Sequence, residues 1–135
     1  MRKLTLILTT LIFSLMFSPS TSFAEWKKVT TNAETGSTFY VDFERIKKHD
    51  GYVYYWYLTD YLKPSPQGLF SNKSYLKGDC KLVRTKTLTE HYFTGQMGGG
   101  YPKVWELTKF QKKWMYPTPD SAGETILKSV CQYAR

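Results

Sequence analysis

The groups best suited to chemistry in this 135-residue sequence are few: Cys80 and Cys131, His49 and His91, and the aspartates Asp42, Asp60 and Asp79. Two cysteines are too few for a four-thiolate zinc site, and two histidines too few for a site built mainly from imidazole. No H-E-x-x-H, G-x-S-x-G or C-x-x-C occurs, so the signatures of a zinc protease, a serine hydrolase and a dithiol redox centre are missing. His91 falls in a predicted strand and reads as a sheet-face residue, while His49, followed by Asp50 and Gly51, reads as turn chemistry. Each of the three aspartates borders a predicted turn or strand end, where capping explains it. Gly98-Gly99-Gly100 is not followed by a helix start or a Lys-Ser/Thr pair, which argues against a phosphate loop. The expectation is a non-enzymatic protein with no catalytic, cofactor-binding or metal-ligating residue.

Positive charge is more informative. Nineteen Lys and Arg face eleven Asp and Glu, for a net charge of +8, in a chain that is 17% aromatic. Lys81, Arg84 and Lys86 cluster within six positions, and Lys103, Lys109, Lys112 and Lys113 form a second group. A basic domain rich in aromatics raises the idea of nucleic-acid binding. The N-terminal segment described next points to export and so to partners outside the cell: anionic lipid headgroups, lipopolysaccharide, sulfated glycans or acidic protein patches. The plainer reading of either cluster is a solvated basic face. Lys81, Arg84 and Lys86 are the candidate ligand-binding residues. Strict alternation places Arg84 and Lys86 on one strand face, together with Leu82, Leu88, Glu90 and Tyr92. On that basis, reversing Arg84 and Lys86 to glutamate should leave the melting temperature within a few degrees.

Residues 1–24 read as a secretory signal peptide: Arg2 and Lys3, the apolar run Leu4–Phe17, a Pro19 break, and Ser22-Phe23-Ala24 before cleavage. The run is about 14 residues, where a membrane span needs roughly 20. No cysteine follows it to accept a lipid. Removal lowers the net charge from +8 to +6 and leaves residues 25–135 as one domain. An oxidising compartment makes Cys80 and Cys131 a predicted disulfide, worth roughly 4 kcal/mol in the chain-entropy model. The competing reading, two free or metal-binding thiols, lacks nearby partners.

The elements that would position these residues are mostly β. Trp26–Val29, Thr38–Val41, Tyr52–Leu62, Ser71–Lys77 and Leu82–Phe93 have strand composition, with a bend at Gly78-Asp79. Val104–Leu107 and Trp114–Tyr116 could supply final pieces. Asp42 can cap a helical turn over Phe43–Lys47. Tyr52–Leu62 is apolar on both faces, which suggests a strand covered on both sides. After Pro117 and Pro119, Ser121-Ala122-Gly123-Glu124 has capping-box spacing, and Ile126, Leu127, Val130, Cys131 and Ala134 form one helical stripe. The fold class is α+β, sheet first and helix last.

Residues 25–135 resemble the surface-adhesin protein E family of Gram-negative bacteria. The carrying residues are Trp26; Phe39-Tyr40-Val41-Asp42 with Ile46 and Lys48; Gly51, Val53, Trp56, Leu58, Asp60, Tyr61 and Pro64; Ser71, Lys73, Ser74, Asp79, Cys80 and Arg84; Tyr92, Gly95, Met97 and Gly100; and Trp114, Pro117, Ser121, Gly123, Glu124, Leu127, Val130 and Cys131. The resemblance implies an antiparallel sheet of about six strands with a C-terminal helix held on its concave face by the disulfide. It also implies a non-enzymatic, exported binding protein of the periplasm or cell surface. A host matrix protein is the ligand this implies; the basic clusters add an acidic envelope glycan as the other expected partner. The alternative is a periplasmic structural or stress-related protein. Neither nucleic acid nor a cofactor is expected, and a homodimer is left open.

Overall fold

The computed structural model describes residues 24–104 and 112–135; all but the last residue of the proposed signal segment 1–24, Lys109 and the end of the predicted 104–107 strand lie outside these. The chain runs β1 (Lys27–Thr31), β2 (Thr38–Val41), a 3-10 turn (Phe43–Arg45), β3 (Lys47–His49), β4 (Tyr52–Asp60), β5 (Ser71–Asp79), β6 (Arg84–Phe93), β7 (Pro102–Val104) and α1 (Ala122–Tyr133). The seven strands form one antiparallel sheet in the order β1-β2-β4-β5-β6-β7. β3 pairs with β4 alongside the β2 pairing, so the 3-10 turn only interrupts the chain's run along that edge. The architecture is the expected α+β sheet with a C-terminal helix.

Three elements differ from expectation. β3 is Lys47-Lys48-His49, wholly exposed and without an apolar residue, so its strand character comes from β4's edge and not from its own pattern. The hairpin closes through Asp50 and Gly51, at φ of 50° and 80°, the positive values that a tight two-residue hairpin loop demands. β5 continues through Gly78-Asp79 instead of bending there. The Trp114–Tyr116 segment forms no strand, only one bridge between Met115 and Thr85.

β6 also carries an irregularity. Leu76 pairs with Thr87 and Tyr75 with Thr89, leaving Leu88 unpaired as a bulge residue. One extra residue reverses the alternation, so Glu90 and Tyr92 face away from Arg84 and Lys86. Leu82 is in the preceding turn, exposed at 53%.

The core lies on one side of the sheet. Ile126, Leu127 and Val130 of α1 pack on Val41, Val53, Tyr55 and Leu76. Each fully buried aliphatic side chain there contributes about 1.5–3 kcal/mol. Gly78 marks the tightest approach: a Cβ at that position would lie 2.7 Å from Leu127 Cδ1 and 2.9 Å from Val53 Cγ2. The Ser121 hydroxyl accepts the Glu124 amide at 3.2 Å, while the Glu124 carboxylate accepts the Asp120 amide instead of that of Ser121. At the other end Lys48 Nζ donates to the Ala134 carbonyl at 2.6 Å. Cys80, just past β5, is bonded to Cys131, 51 positions further on, with Cα atoms 5.8 Å apart.

Candidate binding face

The side of the sheet without the helix carries the cations and most of the aromatic rings. Register fixes its layout as rows crossing the strands. One row is His49, Tyr52 and, from the β5–β6 pairing, Asp79 and Arg84. The next is Lys47, Tyr54, Lys77 and Lys86. Then come Trp56, Tyr75 and Thr89, and after them Tyr40, Leu58, Lys73 and His91. Trp56 stacks on Tyr75 with ring centroids 4.9 Å apart and meets His91 edge-on at 6.1 Å. The central strand β4 is therefore covered on both sides only toward its end: Tyr54 and Trp56 stay partly exposed, while Leu58 on the same face is fully buried beside the Gly95–Gly100 loop.

The chain's own cations lie over these rings. Lys77 Nζ is 4.1 Å from the Tyr52 ring and 5.7 Å from the Trp114 ring. Arg84 lies 4.4 Å from Trp114, and Lys86 Nζ 6.0 Å. At the far end Lys73 Nζ sits 5.0 Å from Phe93 and 5.7 Å from Trp26. A cation over a ring face gains about 0.5–1 kcal/mol at an exposed site while its charge stays hydrated. Three positive side chains thus converge on one indole.

The sequence candidates separate here. Lys81 is exposed in the turn after Cys80, away from the strand. Arg84 and Lys86 do share the open face, one at the head of β6 and the other beside Lys77. Arg84 has a structural duty as well: its Nε donates to Asp79 Oδ2 at 3.0 Å. Burial pushes the Asp79 carboxyl up, but the Leu82 amide, the Arg84 guanidinium and the Lys81 amide outweigh it and hold the group below the ordinary carboxylate range. Glutamate at position 84 would set two carboxylates together, so the Arg84 and Lys86 reversal should lower the melting temperature and not leave it within a few degrees. Sequence reasoning missed Lys77 and Trp114. The available signal was Lys73, Tyr75 and Lys77, alternating onto one side of β5.

The aspartates do not converge. Asp60 accepts the Met97 amide at 2.7 Å, tying down the Gly95–Gly100 loop, while Asp79 is at the opposite end of β5. Asp42 does not cap the 3-10 turn through its side chain. It is 1% exposed, with Oδ2 3.2 Å from Arg45 Nε, close enough for charge pairing but not aligned as a hydrogen bond. It borders a cleft of about 260 Å³ shared with Trp26, Trp56, Lys73 and His91.

On the helix side, further along β5, a polar chain fills space instead of a pocket. Tyr61 donates to Asn72 (2.8 Å), Asn72 to Ser74 (3.0 Å), Ser74 to Glu90 (3.4 Å), and Tyr92 to Glu90 (2.9 Å). Burial pushes the hydroxyl of Tyr61 up to about 12 and those of Tyr57 and Tyr92 up as well, so these phenols stay neutral, and Tyr61 and Tyr92 remain donors. No group of three or more His, Cys, Asp or Glu among the described residues is arranged to hold a metal ion, and no helix among them is long and apolar enough to cross a membrane.

The molecule is thus a single-sheet α+β domain with a helix cross-linked to one face and a cation-lined aromatic array on the other. The chain belongs to the surface-adhesin protein E family, whose model matches residues 26–132. Two solved structures of Haemophilus influenzae protein E share the fold. Crystal form II is 17% identical with a TM-score of 0.62, the match covering 87% of this chain and 95% of that one. A second structure of the same protein, also 17% identical, gives 0.59 over 84% and 89%. At that identity the likeness carries the fold and not the ligand. No curated protein matches the sequence.

Proposed function

We propose that the protein is an exported, non-enzymatic binding protein that engages a host matrix protein or an acidic envelope ligand through the open sheet face. The observation that carries this is the convergence of Lys77, Arg84 and Lys86 on Trp114, beside the half-exposed rings of Tyr52, Tyr54 and Trp56. Tyr, Trp and Arg dominate interface hot spots because they combine large contact area with polar tips. Membership of a surface-adhesin family supports export through the N-terminal segment, with cleavage after Ala24. In this reading Lys81, exposed in the turn before Arg84, lies at the margin of the binding area. The test is a binding screen of the exported protein against immobilised matrix proteins and envelope glycans at two salt concentrations. The expected result is binding that weakens with salt, since charges are screened within about 8 Å at physiological ionic strength.

A second reading has one observation in its favour: the rings are already occupied by the chain's own cations, as they would be in a periplasmic structural or stress-related protein with no ligand, alone or as a homodimer. Fractionation separates the two. An adhesin reaches the surface or medium, and a periplasmic protein is released by osmotic shock.

A further inference from the structure

Lys47, Lys77 and Lys86 belong to one row that crosses four adjacent strands, with Tyr54 between the first two. At about 4.8 Å per strand step, the backbone positions of the outer two lysines lie roughly 14 Å apart. None of the three has an ion-pair partner among the described residues. The row ends at Trp114, where Arg84 adds a fourth cation. The carboxylate of the neighbouring row, Asp79, is engaged by Arg84 and by the amides of Lys81 and Leu82. On the other side Trp56, Tyr75 and Thr89 are neutral. Glu44, on the 3-10 turn, is the acid that shares a cleft with Lys47.

A single phosphate needs donors converging on one point. Here the cations repeat along a row across the strands, with ring faces between and beside them. That pattern matches a linear polyanion whose units alternate charge with an apolar face. Pyranose rings present such a face to Tyr and Trp, and sulfate esters present the charge.

We propose that the Lys47–Tyr54–Lys77–Lys86 row, closed by Trp114, is a track for a sulfated linear glycan. The inference rests on the binding-protein reading above and names its ligand class.

The test uses the oxidised, exported protein and heparin oligosaccharides of defined length as the probe. The comparison ligands are fully desulfated oligosaccharides, a single-stranded DNA and anionic phosphatidylglycerol vesicles. The expected result is sulfate-dependent binding that strengthens with length until the row is spanned. Lys77→Glu with Lys86→Glu should weaken it by at least about tenfold, and Lys63→Glu, on an exposed loop, should leave it unchanged. Lys47→Glu with Lys86→Glu, which spares the Lys77 stacking, should also weaken it, so a poorly folded first variant does not rescue or sink the idea. Trp114→Ala should lower affinity while leaving the salt slope nearly intact, since it removes stacking and no charge. Unchanged heparin binding by a folded charge variant overturns the track, as does equal binding of the desulfated glycan, the DNA or the vesicles. If heparin is ignored while a matrix protein binds through the open face, the track is wrong and the binding-protein reading survives. If nothing binds in either screen, both fall.

Discussion

Val53 and Tyr55 point to one side of β4, and Tyr54 and Trp56 to the other, yet the two sides are protected from water by opposite means. On the first, a helix delivers aliphatic side chains and a covalent bond keeps it there. On the second, among the described residues, no helix is laid over the rings of Tyr52, Tyr54 and Trp56; Trp114 lies against Tyr52, and Lys77 reaches across Tyr52 and Tyr54 with its hydrocarbon stem while its charge stays in solvent. Burial by a helix is permanent on the timescale of the folded state. Cover by a flexible side chain is exchangeable, because a lysine head can leave a ring for a sulfate or carboxylate without disturbing the backbone. The difference teaches that stability and recognition occupy separate sides of one sheet, and each should be removable without the other.

The hardest blow to the covered side is Cys131→Ser. Loss of the Cys80–Cys131 bond should cost about 2–5 kcal/mol in a guanidinium melt, with helical signal lost first. An unchanged midpoint would reject the disulfide as the helix's tie. Gly78→Ala comes next, at about 1–3 kcal/mol, because the new methyl must displace Leu127 or Val53. A stability like the parent's would show that α1 is free to shift. Trp114→Ala tests the open side and should cost about 1 kcal/mol or less. It should weaken ligand binding far more than Gly78→Ala does in protein that remains folded. Equal effects of both variants on binding would erase the division between the faces.

The smallest effect concerns pH. Asp79 has a folded pKa below its unfolded value near 4, so its stabilisation is fully present above about pH 4 and is lost as pH falls through the folded value. Thermal melts from pH 7 down to pH 3 should therefore show a steeper acid decline for the parent than for Asp79→Asn. Parallel curves would mean that the Arg84 pairing contributes nothing to stability.

The parts legible in the sequence were those specified locally. Tyr52–Leu62 announces a strand by composition, and β4 fills all but its last two residues; the 121–134 segment announces a helix by its cap and stripe, and two cysteines behind a signal-like N-terminus announce their bond. What stayed hidden depends on partners. Lys47-Lys48-His49 has no strand pattern of its own and pairs because β4 offers an edge. The position of Glu90 turned on Leu88, an extra residue that nothing in the local sequence marks. Lys77 becomes the neighbour of Lys86 only once that bulge sets the register. Trp114 arrives from 30 positions beyond Arg84, held by one bridge at Met115. The binding face was thus half visible: its charges on β6 could be named, but not the rings and lysines that register brings beside them.

The two outermost described strands bear on how copies of this protein behave when crowded. A bare sheet margin is a template on which another chain's strand can add, the first step toward fibres. β1 meets solvent with exposed Lys27 and Lys28 and a register irregularity between Lys28 and Thr30. β7 is three residues long and begins with Pro102, which has no amide hydrogen to offer. Like charge, a kink and a missing donor all discourage edge-to-edge growth. Self-association, where it occurs, is therefore steered away from these two strands and toward the faces.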